Sequence, residues 1–283
     1  MKTPKRLQPL VEEGLLDEVT RQLMSGKEAT VYVVRCGDDI RCAKVYKDAT
    51  ERSFHQAVAY QEGRRVKNSR QARAMEKGTR YGKKMAEEVW QNAEVDALYR
   101  LAAAGVRVPT PYICFEGVLL MELVTGADGN AAPRLNDVEL TPELARTFHA
   151  ALLRQVVLML LAGVIHGDLS EYNILVDEHG PVIIDLPQAI DAAGSSVAAS
   201  MLERDVSNLA NFFGAVLPEL IGSQYGKEIW ALYQAGVLTP DTPLTGKVAA
   251  PTAPADVDGV IREIAIAREE EEERVRLKME AQG

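Results

Sequence analysis

Apolar positions are arranged as short β-type runs up to about residue 124, interrupted by one helical stripe, and a long helix begins soon after. Residues 29 to 46, ATVYVVRCGDDIRCAKVY, form two β-rich runs around Gly37-Asp38-Asp39 and predict a hairpin. Ser25-Gly26-Lys27 then lies in a loop or at a strand entrance. Between Met85 and Ala104, Val89, Val95, Leu98 and Leu101 recur at roughly helical spacing before Gly105, predicting a helix that carries Glu94. Residues 108 to 124, VPTPYICFEGVLLMELV, predict a second hairpin with a Glu-Gly turn that runs out into a connector. Gly126 to Asn136 has a loop composition, and Thr141-Pro142-Glu143 has the cap and first-turn proline of a helix start. That helix ends at Gly163, and two short apolar runs follow at 174 to 175 and 182 to 185. The fold class expected is α+β and bilobal, with residues 1–124 as a lobe of antiparallel strands and one helix and 125–283 as a mainly helical lobe.

Charge changes this picture in one place. The 283-residue chain has a net charge of −9 and a pI near 5.1, which argues against bulk attraction to nucleic acid or anionic membrane. Yet residues 51 to 84 hold ten Lys/Arg against three Glu, so the stretch from about 48 to 84 is expected to be a mobile or partly helical basic insertion. At the other end, residues 267 to 278, AREEEEERVRLK, pair Glu270 with Arg274 and are expected to form a solvated acidic helix. Three cysteines without a CxxC pair fit a reducing cytoplasm. The N-terminus has no signal-like apolar run, and Val156 to Ile165 is too short to span a bilayer, so no membrane contact is expected. Neither a fixed-period repeat nor zinc-ligand spacing is visible.

The candidate chemistry lies in His166-Gly167-Asp168-Leu169-Ser170-Glu171-Tyr172-Asn173-Ile174-Leu175. A loop carboxylate at Asp168 suits acceptance of a proton from an attacking hydroxyl, and an amide oxygen five residues on, at Asn173, suits a magnesium ion bridging phosphates. This is the kinase catalytic-loop spacing with Gly167 in place of the usual arginine. Twelve residues later Asp185, at the end of an apolar run, can present a second carboxylate to the same metal. Lys44 sits inside the apolar strand Ala43-Lys44-Val45-Tyr46, where an unpaired charge is costly, and Glu94 is its candidate partner. Ser25, Gly26 and Lys27 stand where a phosphate-cradling loop belongs, although only one glycine is present. His166 reads as a packed structural residue.

Taken together, SGKEATVY, the lysine of AKVYKD, Glu94, MELVTGADGNAAPRL, HGDLSEYNILV, IIDLPQAI and LERDVSNLANFF resemble the RIO family of atypical serine/threonine protein kinases, over roughly residues 14 to 240. The resemblance is to the shorter branch, without an N-terminal winged helix. It implies a protein-kinase-like fold binding ATP and magnesium, or manganese in its place. It further implies that Lys44 contacts the phosphates, Glu94 pairs with it, and Asp168 is the catalytic acceptor. Asn173 and Asp185 would bind the metal, and Met121, Glu122 and Leu123 would form the adenine hinge. Transient phosphorylation of Asp185, also implied, would make the protein an ATPase. The family's association with ribosome maturation implies a ribosomal particle or RNA as partner, through the basic stretch 64–84, beside a protein substrate modified on hydroxyls; self-modification at Ser69 or Thr79 is the other reading of that stretch. Pro187 departs from the family's usual polar residue, and no A-P-E segment follows. The catalytic-loop spacing alone also fits a small-molecule kinase of the aminoglycoside or choline type, and a nucleotide-binding scaffold is a third reading.

Overall fold

A computed structural model describes residues 2–26, 29–47 and 93–248. Lys27, the basic insertion and the acidic C-terminal stretch 267–278 lie outside the described residues, as do positions 85–92 of the expected helix. The described residues up to Lys247 belong to one compact unit.

The N-terminal part is a five-stranded antiparallel sheet of order β1-β2-β3-β5-β4. Its strands are β1 (Glu18–Ser25), β2 (Ala29–Cys36), β3 (Asp39–Tyr46), β4 (Pro111–Phe115) and β5 (Val118–Glu122). Both expected hairpins form. Ala29 pairs with Tyr46 through to Cys36 with Asp39, so Asp39 is the first residue of β3 rather than part of the turn. Glu116 and Gly117 turn the second hairpin with positive φ at both positions, the backbone of a tight primed turn.

Strand periodicity gives the sheet two buried faces. Tyr32, Val34, Ala43, Val45, Val118 and Leu120 pack on Leu7, Leu10 and Leu16, which flank or belong to the short helix α1 (Gln8–Glu12). The alternate residues Tyr46 and Leu119 face Val95, Leu98 and Leu101 of helix α2 (residues 93–103). Lys44, in register with Leu119, is therefore directed to the α2 side.

The C-terminal part is built on α3 (Pro142–Leu161), α4 (Ala198–Gly214) and α5 (Tyr225–Gln234). Thr141 caps α3 by accepting the Leu144 N–H at 3.2 Å, with Pro142 at the first helical position, as the sequence predicts. Two small antiparallel pairs lie beside it, β6 (Val164–Ile165) with β9 (Ile190–Asp191), and β7 (Ile174–Asp177) with β8 (Gly180–Ile183). The link between sheet and helices is the segment after α2. The Arg107 N–H donates to Gln155 of α3 at 2.8 Å, its carbonyl accepts from Ile183 of β8 at 2.8 Å, and its guanidinium pairs with Asp177 of β7 at 2.6 Å.

Helix α3 also buries His149, whose ring meets Phe213 of α4 and Tyr225 of α5 edge-on at 5.6 and 5.4 Å. Its Nε2 has no hydrogen-bond partner among the described residues. Burial lowers this imidazole from the ordinary 6.5 to about 4. Between those values the unfolded chain binds a proton that the folded chain refuses, so stability falls as pH falls through that window. The loss should reach about 2 to 3 kcal/mol near pH 4.5. Urea unfolding at pH 7 and 4.5 should show a smaller acid loss in His149→Leu than in the wild type, and equal losses would refute the assignment.

Candidate active site

Lys44 on β3 is buried, at 8% exposure, and its Nζ donates to Glu94 Oε1 at 2.6 Å and to Asp185 Oδ1 at 2.8 Å. Burial alone pulls the ammonium's pKa down, but the two carboxylates outweigh it and leave Lys44 above the ordinary lysine range. Asp185 shows the converse: burial pushes its carboxyl up, and the Lys44 charge and hydrogen bond bring it below the usual carboxylate range. Tyr46, two residues along the same face, is pushed up by burial and then by the Glu94 charge. The sequence pairing of Lys44 with Glu94 is thus seen directly, and Asp185 joins it as a third member from the other half of the chain.

Asp185 follows β8 in the left-handed region, with φ of 65°, a conformation costing roughly 1 to 3 kcal/mol for a non-glycine residue. The surrounding bonds hold it there. His166 Nε2 lies 3.0 Å from the Ile184 carbonyl, and the Ile184 N–H donates to the Asn173 carbonyl at 3.0 Å. Because the Asp168 N–H donates to His166 Nδ1 at 3.3 Å, the proton of this buried ring belongs on Nε2. His166 is accordingly a structural cross-link between the two acidic loops.

The catalytic loop is also clamped from below by α4. The buried Asp205 accepts the Gly167 N–H at 2.7 Å and the Leu169 N–H at 3.1 Å, Asn208 donates to the Leu169 carbonyl at 3.0 Å, and Arg204 donates to the Gly167 carbonyl. Asn173 Nδ2 donates to the Asp168 carbonyl at 2.9 Å, which turns its amide oxygen away from the loop and leaves that oxygen for a hard cation. Burial raises the Asp168 carboxyl, against the charge of the Arg204 guanidinium, so it is a better proton acceptor than a free aspartate.

The remaining sequence candidates lie on the sheet side. Gly26 closes the β1–β2 connection by donating to the Ala29 carbonyl at 2.9 Å, and its own carbonyl accepts from Lys47 Nζ at 2.8 Å. Ser25 Oγ lies 3.3 Å from Thr30 Oγ1. Met121 and Glu122 end β5, and Leu123 follows. Glu122 Oε2 accepts from the Thr110 N–H and hydroxyl at 3.0 and 2.9 Å, and the Glu122 N–H donates to the Thr110 carbonyl at 2.9 Å. Arg204 and Asp205 carry no stated task in the sequence reading, and Asn208 and Gln188 have none either. A charged pair on an otherwise amphipathic helix was the one available signal, since a buried acid demands a partner.

The family model described as the RIO domain matches residues 30–223. The chain is 34% identical over 206 residues to the RIO-type serine/threonine-protein kinase Rio1 of Haloferax volcanii, covering 72% of this chain and 66% of that one. It is 32% identical over 191 residues to the protein of the same name from Methanocaldococcus jannaschii, covering 67% and 60%. It is 30% identical over 210 residues to the serine/threonine-protein kinase rio1 of Schizosaccharomyces pombe, covering 72% and 40%. The match therefore spans between two fifths and two thirds of these relatives. With Lys44 bonded to Glu94 and Asp185, Asn173 bonded to Asp168, and the family model running from β2 to the loop after α4, the chain belongs to the RIO domain family.

Proposed function

We propose that this chain is an ATP-dependent serine/threonine protein kinase. The observation that carries the reading is Lys44 held between Glu94 and Asp185, a buried cation presented beside a carboxylate that stays ionised, with the more basic Asp168 nearby. The names of the relatives supply the acceptor class.

In the proposed reaction the acceptor hydroxyl gives its proton to the Asp168 carboxylate as its oxygen bonds to the γ-phosphorus. The bond to the β–γ bridging oxygen breaks, and its electron pair leaves on ADP. Lys44 holds the nucleotide phosphates, and the backbone of Met121, Glu122 and Leu123 receives the adenine. The Asn173 amide oxygen and the Asp185 carboxylate make a hard, oxygen-only donor pair that fits magnesium, which when bound supplies positive charge to the phosphate oxygens.

The test is incubation with γ-labelled ATP and magnesium, following labelled protein and released phosphate in wild type, Asp168→Ala and Asp185→Ala. Asp168→Ala should lower transfer by about 10² to 10⁴-fold while nucleotide still binds. Wild-type protein that binds nucleotide but neither labels protein nor releases phosphate would sink the reading. Phosphate release without protein labelling would instead make it an ATPase.

A further inference from the structure

The backbone leaving Asp185 turns at once. The Ala189 N–H donates to the Leu186 carbonyl at 3.0 Å, closing a tight turn with Pro187 and Gln188 at its centre and the buried Leu186 and Ala189 as anchors. Proline suits the second position of such a turn because its φ is already set. Pro187, which departs from the polar residue that the family resemblance leads one to expect, therefore fixes the backbone of this turn. The turn lies against the catalytic loop so closely that the Gln188 carbonyl is 2.6 Å from where a Cβ on Gly167 would be.

From this support Gln188 Nε2 reaches Asp168 Oδ2 at 3.4 Å. Oδ1 of the same carboxylate has no partner among the described residues. A carboxylate on a loop rotates freely about its last bond, and a single donor on one oxygen fixes the plane and turns the other oxygen toward the cleft. Long hydrogen bonds at catalytic groups shorten when substrate is bound, so 3.4 Å is a resting distance.

We propose that Gln188 is a positioning residue for phosphoryl transfer: its amide N–H orients the Asp168 carboxylate so that Oδ1 receives the acceptor hydroxyl's proton. The proposal rests on the kinase reading above. Gln188 touches no nucleotide in this scheme; it acts only through Asp168.

The experiment is a double-mutant cycle with Gln188→Met, which keeps the shape and removes the donor, and Asp168→Ala, followed by transfer kinetics and thermal unfolding. Gln188→Met should lower kcat by about 10-fold or more with KM for ATP unchanged within about twofold. In the Asp168→Ala background the same substitution should leave the residual rate unchanged, because the group it orients is gone. Equal losses in both backgrounds, or a rise in KM for ATP with an unchanged kcat, overturns the proposal. A wild-type protein with no transfer activity fails the kinase reading itself and is distinguishable from either.

Discussion

Lys44→Met is expected to cost about 3 to 5 kcal/mol of stability and to lower phosphoryl transfer by at least about 10²-fold, two effects that a second substitution separates. The stability loss does not come from a missing attraction alone. Glu94 is 4% exposed and remains in place when its ammonium partner is removed, so a buried carboxylate is left unpaired and must either stay charged without compensation or take up a proton. Asp185 loses its partner too, but its side chain is about half exposed, so water offsets most of that loss. The double variant Lys44→Met/Glu94→Leu removes both buried charges and should return to within about 2 kcal/mol of wild type in urea unfolding, because apolar groups of similar size replace buried ion pairs at little cost. Its transfer activity should stay at the level of the single variant. A double variant as unstable as Lys44→Met would show that packing, not the orphaned charge, dominates.

Gly167→Ala should have the next largest effect, although it adds one methyl group at a residue with no side-chain role. Gly167 has φ of +82°, where any Cβ is strained, and that Cβ would stand 2.6 Å from the Gln188 carbonyl and 2.5 Å from Met201 Cε. The methionine end can move, but the carbonyl belongs to the tight turn and cannot shift without carrying Gln188 and Asp185 with it. About 2 to 4 kcal/mol of destabilisation follows from strain and overpacking. Displacing the turn by about an ångström beside Asp168 should lower kcat by about 10²-fold. Urea unfolding and steady-state transfer kinetics would read both, and a variant indistinguishable from wild type in both would show that the turn yields freely. Arginine at this position, the usual kinase residue, should be worse than alanine on each measure.

These two sites also show where sequence reasoning reached and where it stopped. Lysine within an apolar strand implied a buried partner, and helical spacing put Glu94 on the element able to supply it. Alternation could not reveal that Asp185, assigned from its spacing to a metal, also bonds to Lys44, because that contact joins residues 141 positions apart. Gly167 read as a substitution for arginine, since the reason for glycine lies in a carbonyl from a distant segment. Strand β1 escaped notice for a different reason. Only Val19 of its eight residues is fully buried and its pairing with β2 shifts register twice, so no period-2 pattern is written there. The Asp205 clamp was legible only as a charged pair on an amphipathic helix, because an acid there is ordinary until its backbone partners at Gly167 and Leu169 are known.

The anchoring of Arg107 has a consequence for how the sheet and the helical half are joined. Three hydrogen bonds tie Arg107, shortly after α2, to α3, β7 and β8, so the C-terminal end of α2 is fastened to the helical half although the chain runs on from it into β4 of the sheet. Glu94 lies on the same helix, so the acid that holds Lys44 is tied through Arg107 to the helical half. The Lys44–Glu94 pair, like the Lys44–Asp185 pair, therefore joins β3 of the sheet to elements held by the helical half.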